Sequence, residues 1–186
     1  MSNQLTVKGS LTETQKQRNL SFAEAFLTVE AILVVDVSGS MITQDVNAED
    51  GVKSRFSEAN RQLKKLQARM PGKLAVVEFS DDVVFCPDGQ LTGVKGGTDL
   101  LGALQFVSPA AGCGIKFIIV SDGLPDSPEE TLQYAGQLHE QLNCIHIGKD
   151  ARGKVFMDRL AKASGGKSLE SEVQLLSDNI VRLLTA

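Results

Sequence analysis

Short apolar runs bounded by turn residues alternate along this chain with stretches whose apolar positions recur every three or four residues. The runs at 31–35, 73–79, 83–86, 116–121 and 143–147 read as strands, and 167–169 reads as a short edge strand. Between them lie helical stripes: Phe56, Ala59, Leu63, Leu66 and Met70, then Leu100, Leu101 and Leu104, then Leu132, Ala135, Leu138 and Leu142. A further helix is expected at 155–163, and a last one at 172–184 with Val173, Leu176, Ile180 and Leu184 inward. Pro71-Gly72, Ser108-Pro109 and Gly165-Gly166 supply stop signals. Ser127-Pro128-Glu129-Glu130 and Ser171 with Gln174 read as capping boxes. The turn Ser80-Asp81-Asp82 is too short for a crossover, so its two strands should run antiparallel. Everywhere else strand follows helix. The pattern predicts an α/β fold: a doubly wound, mostly parallel six-stranded sheet with one antiparallel edge strand and helices on both faces.

Two regions fall outside that alternation. Residues 1–21 are polar without a clear period, and Phe22, Phe26 and Val29 are spaced for a short helix. Residues 1–30 are therefore expected to be an N-terminal extension, partly ordered at most, ahead of one domain at 31–186. Residues 41–50 read as a polar loop holding Asp45, Glu49 and Asp50.

The polar positions that end the strands carry the candidate chemistry. Ile32-Leu-Val-Val runs straight into Asp36, and Ser38 and Ser40 follow at two-residue steps. Alternation on an extended, turning backbone lets these three side chains point the same way. A second strand, Phe117-Ile-Ile-Val-Ser, runs into Asp122-Gly123, and a Gly96-Gly97-Thr98-Asp99 loop precedes a helix. In open α/β sheets, ligands bind at the carboxyl ends of strands where crossovers diverge. The side chains offered there are hard oxygen donors, suited to Mg2+ or Mn2+ rather than to zinc or copper. Each piece also has a plain structural reading: Asp36 as a helix cap, Thr98 as a helix N-cap, Asp122-Gly123 as a turn pair.

Composition narrows the alternatives. The apolar fraction is 42%, enough for a sizeable core, and the formal net charge is −4, which argues against a nucleic-acid or anionic-membrane footprint. No apolar run approaches membrane-spanning length, and the opening residues hold no apolar signal core, so a cytoplasmic location is expected. Cys86, Cys113 and Cys144 form no CxxC pair and read as reduced thiols; with only two histidines besides, zinc is not expected. Arg61, Lys64, Lys65 and Arg69 read as a solvated helix face.

Asp36-x-Ser38-x-Ser40, Thr98 within Gly-Gly-Thr-Asp-Leu, and Asp122 within Ser-Asp-Gly together resemble the metal-ion-dependent adhesion site of the von Willebrand factor type A (vWA) domain. The resemblance runs from about Ala31 to the end, which would make 31–186 the vWA domain, and is most similar to stand-alone bacterial or phage cytoplasmic members. It implies a site in which Ser38 and Ser40 bind Mg2+ or Mn2+ directly. Thr98 would join in a ligand-competent state, and Asp36 and Asp122 would act largely through water. It implies a non-enzymatic protein-interaction module whose partner supplies an Asp or Glu carboxylate. Family members often work beside AAA+ ATPases or in multiprotein assemblies, and neither nucleic acid nor membrane is expected as a partner. The segment at 41–54 is longer and more acidic than the family pattern leads one to expect, and no cysteines flank the domain. Two alternatives stay open: a metal-dependent phosphohydrolase on a similar sheet, and a scaffold that keeps the fold without using the metal. Against the first, Ser38 stands where that chemistry wants a second acid.

Overall fold

The computed structural model describes residues 6–48 and 51–185. Among these residues eight strands form: β1 (Ala31–Asp36), β2 (Val46–Ala48), β3 (Gly51–Lys53), β4 (Leu74–Phe79), β5 (Val83–Cys86), β6 (Lys116–Ser121), β7 (Leu142–Ile147) and β8 (Ser168–Ser171). Seven α-helices accompany them: α1 (Leu11–Arg18), α2 (Phe22–Phe26), α3 (Arg55–Arg69), α4 (Leu100–Val107), α5 (Pro128–Gln137), α6 (Ala151–Ser164) and α7 (Leu176–Thr185). Six strands make one sheet in the order β5-β4-β1-β6-β7-β8, parallel except for the antiparallel β4–β5 edge pair. This is the doubly wound architecture expected from the strand and helix pattern.

Alternation splits the core between the two sheet faces. Ile32 and Val34 of β1 point to one side, with α4, α5 and α6 over them through Leu104, Ala135 and Met157. Leu33 and Val35 point to the other, covered by α3 and α7 through Leu63, Leu66, Leu176 and Ile180. The chain leaves β1 leftward through α3 and returns to β6 through α4 on the opposite face. The crossovers therefore diverge between β1 and β6, whose carboxyl ends lie side by side.

Several local expectations change. The segment at 41–48 is not a plain loop: a 3-10 turn at Gly39–Ile42 leads into the antiparallel β2–β3 ladder, with Val46 buried, while Glu49 and Asp50 lie outside the described residues. That burial ties one end of the hairpin to the α3 side of the core. Part of the stretch read as aperiodic, 11–18, is helical; a single Leu11 enters the core, too few apolar residues to show a period. Ser10 caps that helix by accepting from the Glu13 N–H at 3.1 Å. The short helix at 22–26 forms, but Val29 lies beyond its end.

Neither expected capping box survives. Ser127 is the N-cap of α5 but makes no side-chain cap bond, and Pro128 takes the first helical position. Ser171 ends β8, while Gln174 donates to Glu172 at 2.7 Å across a 3-10 turn at Val173–Leu175. That tighter turn resets the phase of the last helix, so its stripe runs Leu176, Ile180 and Leu183, and Leu184 is only partly buried. Leu142 belongs to β7 rather than to the helix before it, because α5 ends at Gln137.

Candidate metal centre

Asp36 is the last residue of β1 and is fully buried. Both its oxygens are used: Oδ1 accepts the Ser38 N–H at 2.7 Å, and Oδ2 accepts the Ser121 hydroxyl at 2.6 Å. The first bond is an Asx turn, which closes the strand and aims Ser38 and Ser40 outward; Asp36 caps no helix. Burial drives its carboxyl up to about 6, against the hydrogen bonds from Ser121 and Ser38 that favour the ion.

From there a chain of short contacts crosses the switch point. Ser38 Oγ lies 3.1 Å from Ser40 Oγ, and the Ser40 hydroxyl donates to Asp122 Oδ1 at 2.6 Å. Asp122, also buried, accepts Arg55 Nη1 on its other oxygen at 2.7 Å. The rest of the Arg55 fork grips Asp45, with Nε on Oδ1 at 3.0 Å and Nη2 on Oδ2 at 2.6 Å. The Arg55 hydrogen bonds hold the Asp45 carboxyl below the usual carboxylate range, and Asp45 in turn holds the guanidinium protonated.

Thr98 reaches the same end of the sheet by a different route. Its loop is tied to the β1 loop through backbone alone, Gly39 N–H to Gly96 O at 3.2 Å and Lys95 N–H to Val37 O at 2.9 Å. Two carboxylates grip that loop: Asp81 accepts the Gly97 N–H and Asp126 the Thr98 N–H, each at 2.8 Å. A Cβ at Gly97 would fall 2.4 Å from Asp81 Oδ1 and 2.9 Å from Asp126 Oδ2, so glycine is what lets both acids close in. Thr98 is not the helix cap: Asp99 is, accepting the Gly102 N–H at 2.8 Å. Among the described residues, the Thr98 hydroxyl makes no hydrogen bond to Ser38, Ser40, Asp36 or Asp122.

Thus four of the five expected site residues share one hydrogen-bonded network, and the fifth borders it. Arg55, Ser121, Asp81 and Asp126 were not anticipated. One signal for Arg55 was present: a basic residue in the first turn of a helix, behind the Ser54 cap, opposes the helix dipole and needs an acidic partner.

The donor set suits a hard cation. Two oxygens at adjacent positions of an octahedral Mg2+ sphere lie about 3 Å apart, and the two serine oxygens stand 3.1 Å apart. Among the described residues no three His, Cys, Asp or Glu side chains are arranged to hold an ion by themselves. Also among the described residues, no helix is long and apolar enough to cross a membrane.

No family model and no curated protein matches the chain. Solved structures do. The chain is similar to the conserved hypothetical protein BatB from Bacteroides thetaiotaomicron, with 18% identity and a TM-score of 0.62 over 85% of this chain and 100% of that one. It is similar to a von Willebrand factor type A protein from Catenulispora acidiphila, with 16% identity and a TM-score of 0.62 over 84% of this chain and 42% of that one. The SpRpn10 VWA domain aligns with 14% identity and a TM-score of 0.56, over 83% of this chain and 95% of that one. At these identities the likeness is one of fold: this chain has the vWA fold.

Proposed function

We propose that this chain is a metal-dependent protein-interaction module, in which Ser38 and Ser40 bind Mg2+ or Mn2+, Thr98 joins them in a ligand-competent state, and Asp36 and Asp122 support the ion largely through water. A partner Asp or Glu completes the shell. The observation that carries this reading is the unbroken Asp36–Ser121 and Ser38–Ser40–Asp122 network at the sheet's switch point, with its hydroxyl oxygens spaced like adjacent octahedral ligands. The fold supports it too, since vWA domains commonly mediate protein–protein contacts; the SpRpn10 VWA domain has the same fold.

The division of labour follows from charge. Ser38 and Ser40 are neutral donors, so they position without neutralising. Asp36 is anchored on both oxygens and sets the direction of the serine loop. Asp122 keeps one oxygen on Ser40 and has its other neutralised by Arg55. A bound ion supplies, in such an under-neutralised setting, one exchangeable position for an outside carboxylate. Arg55 also puts a cation beside the site, as phosphoryl transfer would want, but its three donor nitrogens all point into Asp45 and Asp122. The arrangement therefore favours binding over catalysis. The assembly around it is proposed to be a protein complex, with an AAA+ ATPase as one candidate member.

The test is a thermal-denaturation series with Mg2+ and Mn2+ on wild type and Asp36→Ala, followed by a pull-down with and without EDTA. Wild type should be stabilised by the ion and should capture partner only without EDTA. Equal stabilisation of both proteins would refute the metal assignment. A scaffold that keeps the fold without the ion would show no shift in either. Hydrolysis of generic phosphoesters, lost in Asp36→Ala, would move the chain to the enzyme class.

A further inference from the structure

Arg55 is buried, and its guanidinium spans two acids from different parts of the chain. One is Asp122 at the end of β6. The other, Asp45, stands immediately before β2. Gly148, at φ +109°, packs beside this contact; a Cβ there would lie 2.9 Å from Arg55 Nη1 and 3.3 Å from Asp122 Cβ. The β2–β3 hairpin pairs with no strand of the main sheet. Its ties to the body include Val46 in the core, the Arg55 N–H to Thr43 O bond at 3.1 Å, and the Asp45 fork. It walls a groove of about 550 Å³ whose lining also includes Arg55, Lys149, Glu172 and Val173.

We propose that Arg55 is a positioning residue of the metal centre: it fixes Asp122 and links it through Asp45 to the β2–β3 hairpin, so that ion binding and hairpin placement are coupled. This rests on the metal-centre reading above. With Oδ2 of Asp122 held by Arg55, Oδ1 faces Ser40. A cation beside Ser38 and Ser40 competes with Arg55 for the charge of Asp122. The guanidinium then leans on Asp45, and the hairpin tightens. Linkage makes the effect reciprocal: a partner that engages the hairpin alters ion affinity by the same factor. Lysine cannot replace the device, because an ammonium lacks the planar fork that serves two carboxylates at once.

The experiment measures Mn2+ affinity by calorimetry, and amide exchange across 46–53 with and without Mn2+. It compares wild type, Asp45→Asn, Arg55→Lys and Glu172→Gln; none of these removes the countercharge of Asp122. In wild type, Mn2+ should slow hairpin exchange about fivefold, the low end of common coupling factors. Asp45→Asn should erase that protection and weaken Mn2+ about fivefold, since the site gains a net positive charge. Arg55→Lys should keep Mn2+ affinity within about threefold, the charge being retained, yet lose the protection. Glu172→Gln, the same charge change in the same groove but outside the Arg55 ion pairs, should keep it. Protection that persists in Asp45→Asn or Arg55→Lys, or that vanishes in Glu172→Gln, overturns the relay while leaving the metal centre standing. Failure of Mn2+ to bind wild type overturns the metal centre and the relay together.

Discussion

Two loops meet at the carboxyl end of the sheet, and they are held in opposite ways. In the β1 loop, side chains hold side chains: Asp36 takes Ser121, Ser38 faces Ser40, and Ser40 reaches Asp122. In the Thr98 loop, carboxylates hold backbone: Asp81 and Asp126 grip N–H groups and leave the threonine hydroxyl uncommitted. The first arrangement presets its donors before any ligand arrives. The second fixes where the loop lies without fixing what its hydroxyl touches. On the proposed reading, the rigid half would select the ion and the uncommitted half would answer to what else is bound.

The comparison breaks most severely at Arg55. Removing it by Arg55→Ala leaves Asp122 buried without its countercharge, a loss of about 3–5 kcal/mol for a broken buried pair, to be read by urea unfolding. An equivalent change in the Thr98 loop, Asp126→Asn, leaves no buried charge and should cost far less.

Next in size is the ion itself. With Mn2+ at a hundred times its dissociation constant, wild type should gain about 2.7 kcal/mol from mass action, and Asp36→Ala should gain none. A thermal-shift titration reads the difference directly.

Thr98→Ala sharpens the contrast between the halves. Mn2+ affinity should stay within about threefold, while binding of added glutamate to the Mn2+-loaded protein weakens about tenfold, or ~1.4 kcal/mol. Water-proton relaxation follows both events. Equal losses in the two would make Thr98 as preset as the serines.

The smallest effect is one of pH. Arg55 depresses the Asp45 carboxyl in the folded state. Its contribution is therefore fully present above the unfolded value near 3.9 and is lost as pH falls through the lower folded value. Hairpin amide protection, measured relative to the intrinsic exchange rate at each pH, should fall below about pH 4 in wild type, and Asp45→Asn should show no such inflection.

Much of this could be read along the chain. Apolar runs such as Ile32-Leu-Val-Val and Phe117-Ile-Ile-Val set the central strands, because a strand buried on both faces has almost no other composition open to it. The short turn at 80–82 set the antiparallel pair of the main sheet. Asp36, Ser38, Ser40 and Asp122 were legible as a group, since a strand-end acid and two-residue spacing are local properties. What the one-dimensional pattern did not contain was any feature resting on a distant partner. The β2–β3 hairpin is too short to show a period, and it rests partly on burial of Val46 against elements far along the chain. The Ser171–Gln174 capping box was lost to a strand end and a 3-10 turn that the local motif does not see, while Ser127 sits at the N-cap of α5 without a side-chain cap bond. Arg55 looked like another basic helix residue until folding brought both Asp122, 67 positions away, and Asp45, 10 positions back, to its guanidinium. By itself the sequence determined which residues turn inward at each strand and which donors end it, for those follow from periodicity and chemistry. Tertiary structure alone decided which of those donors are already bound to one another and which stays uncommitted. Hydrogen bonds between segments depend on distances that only the packed sheet sets.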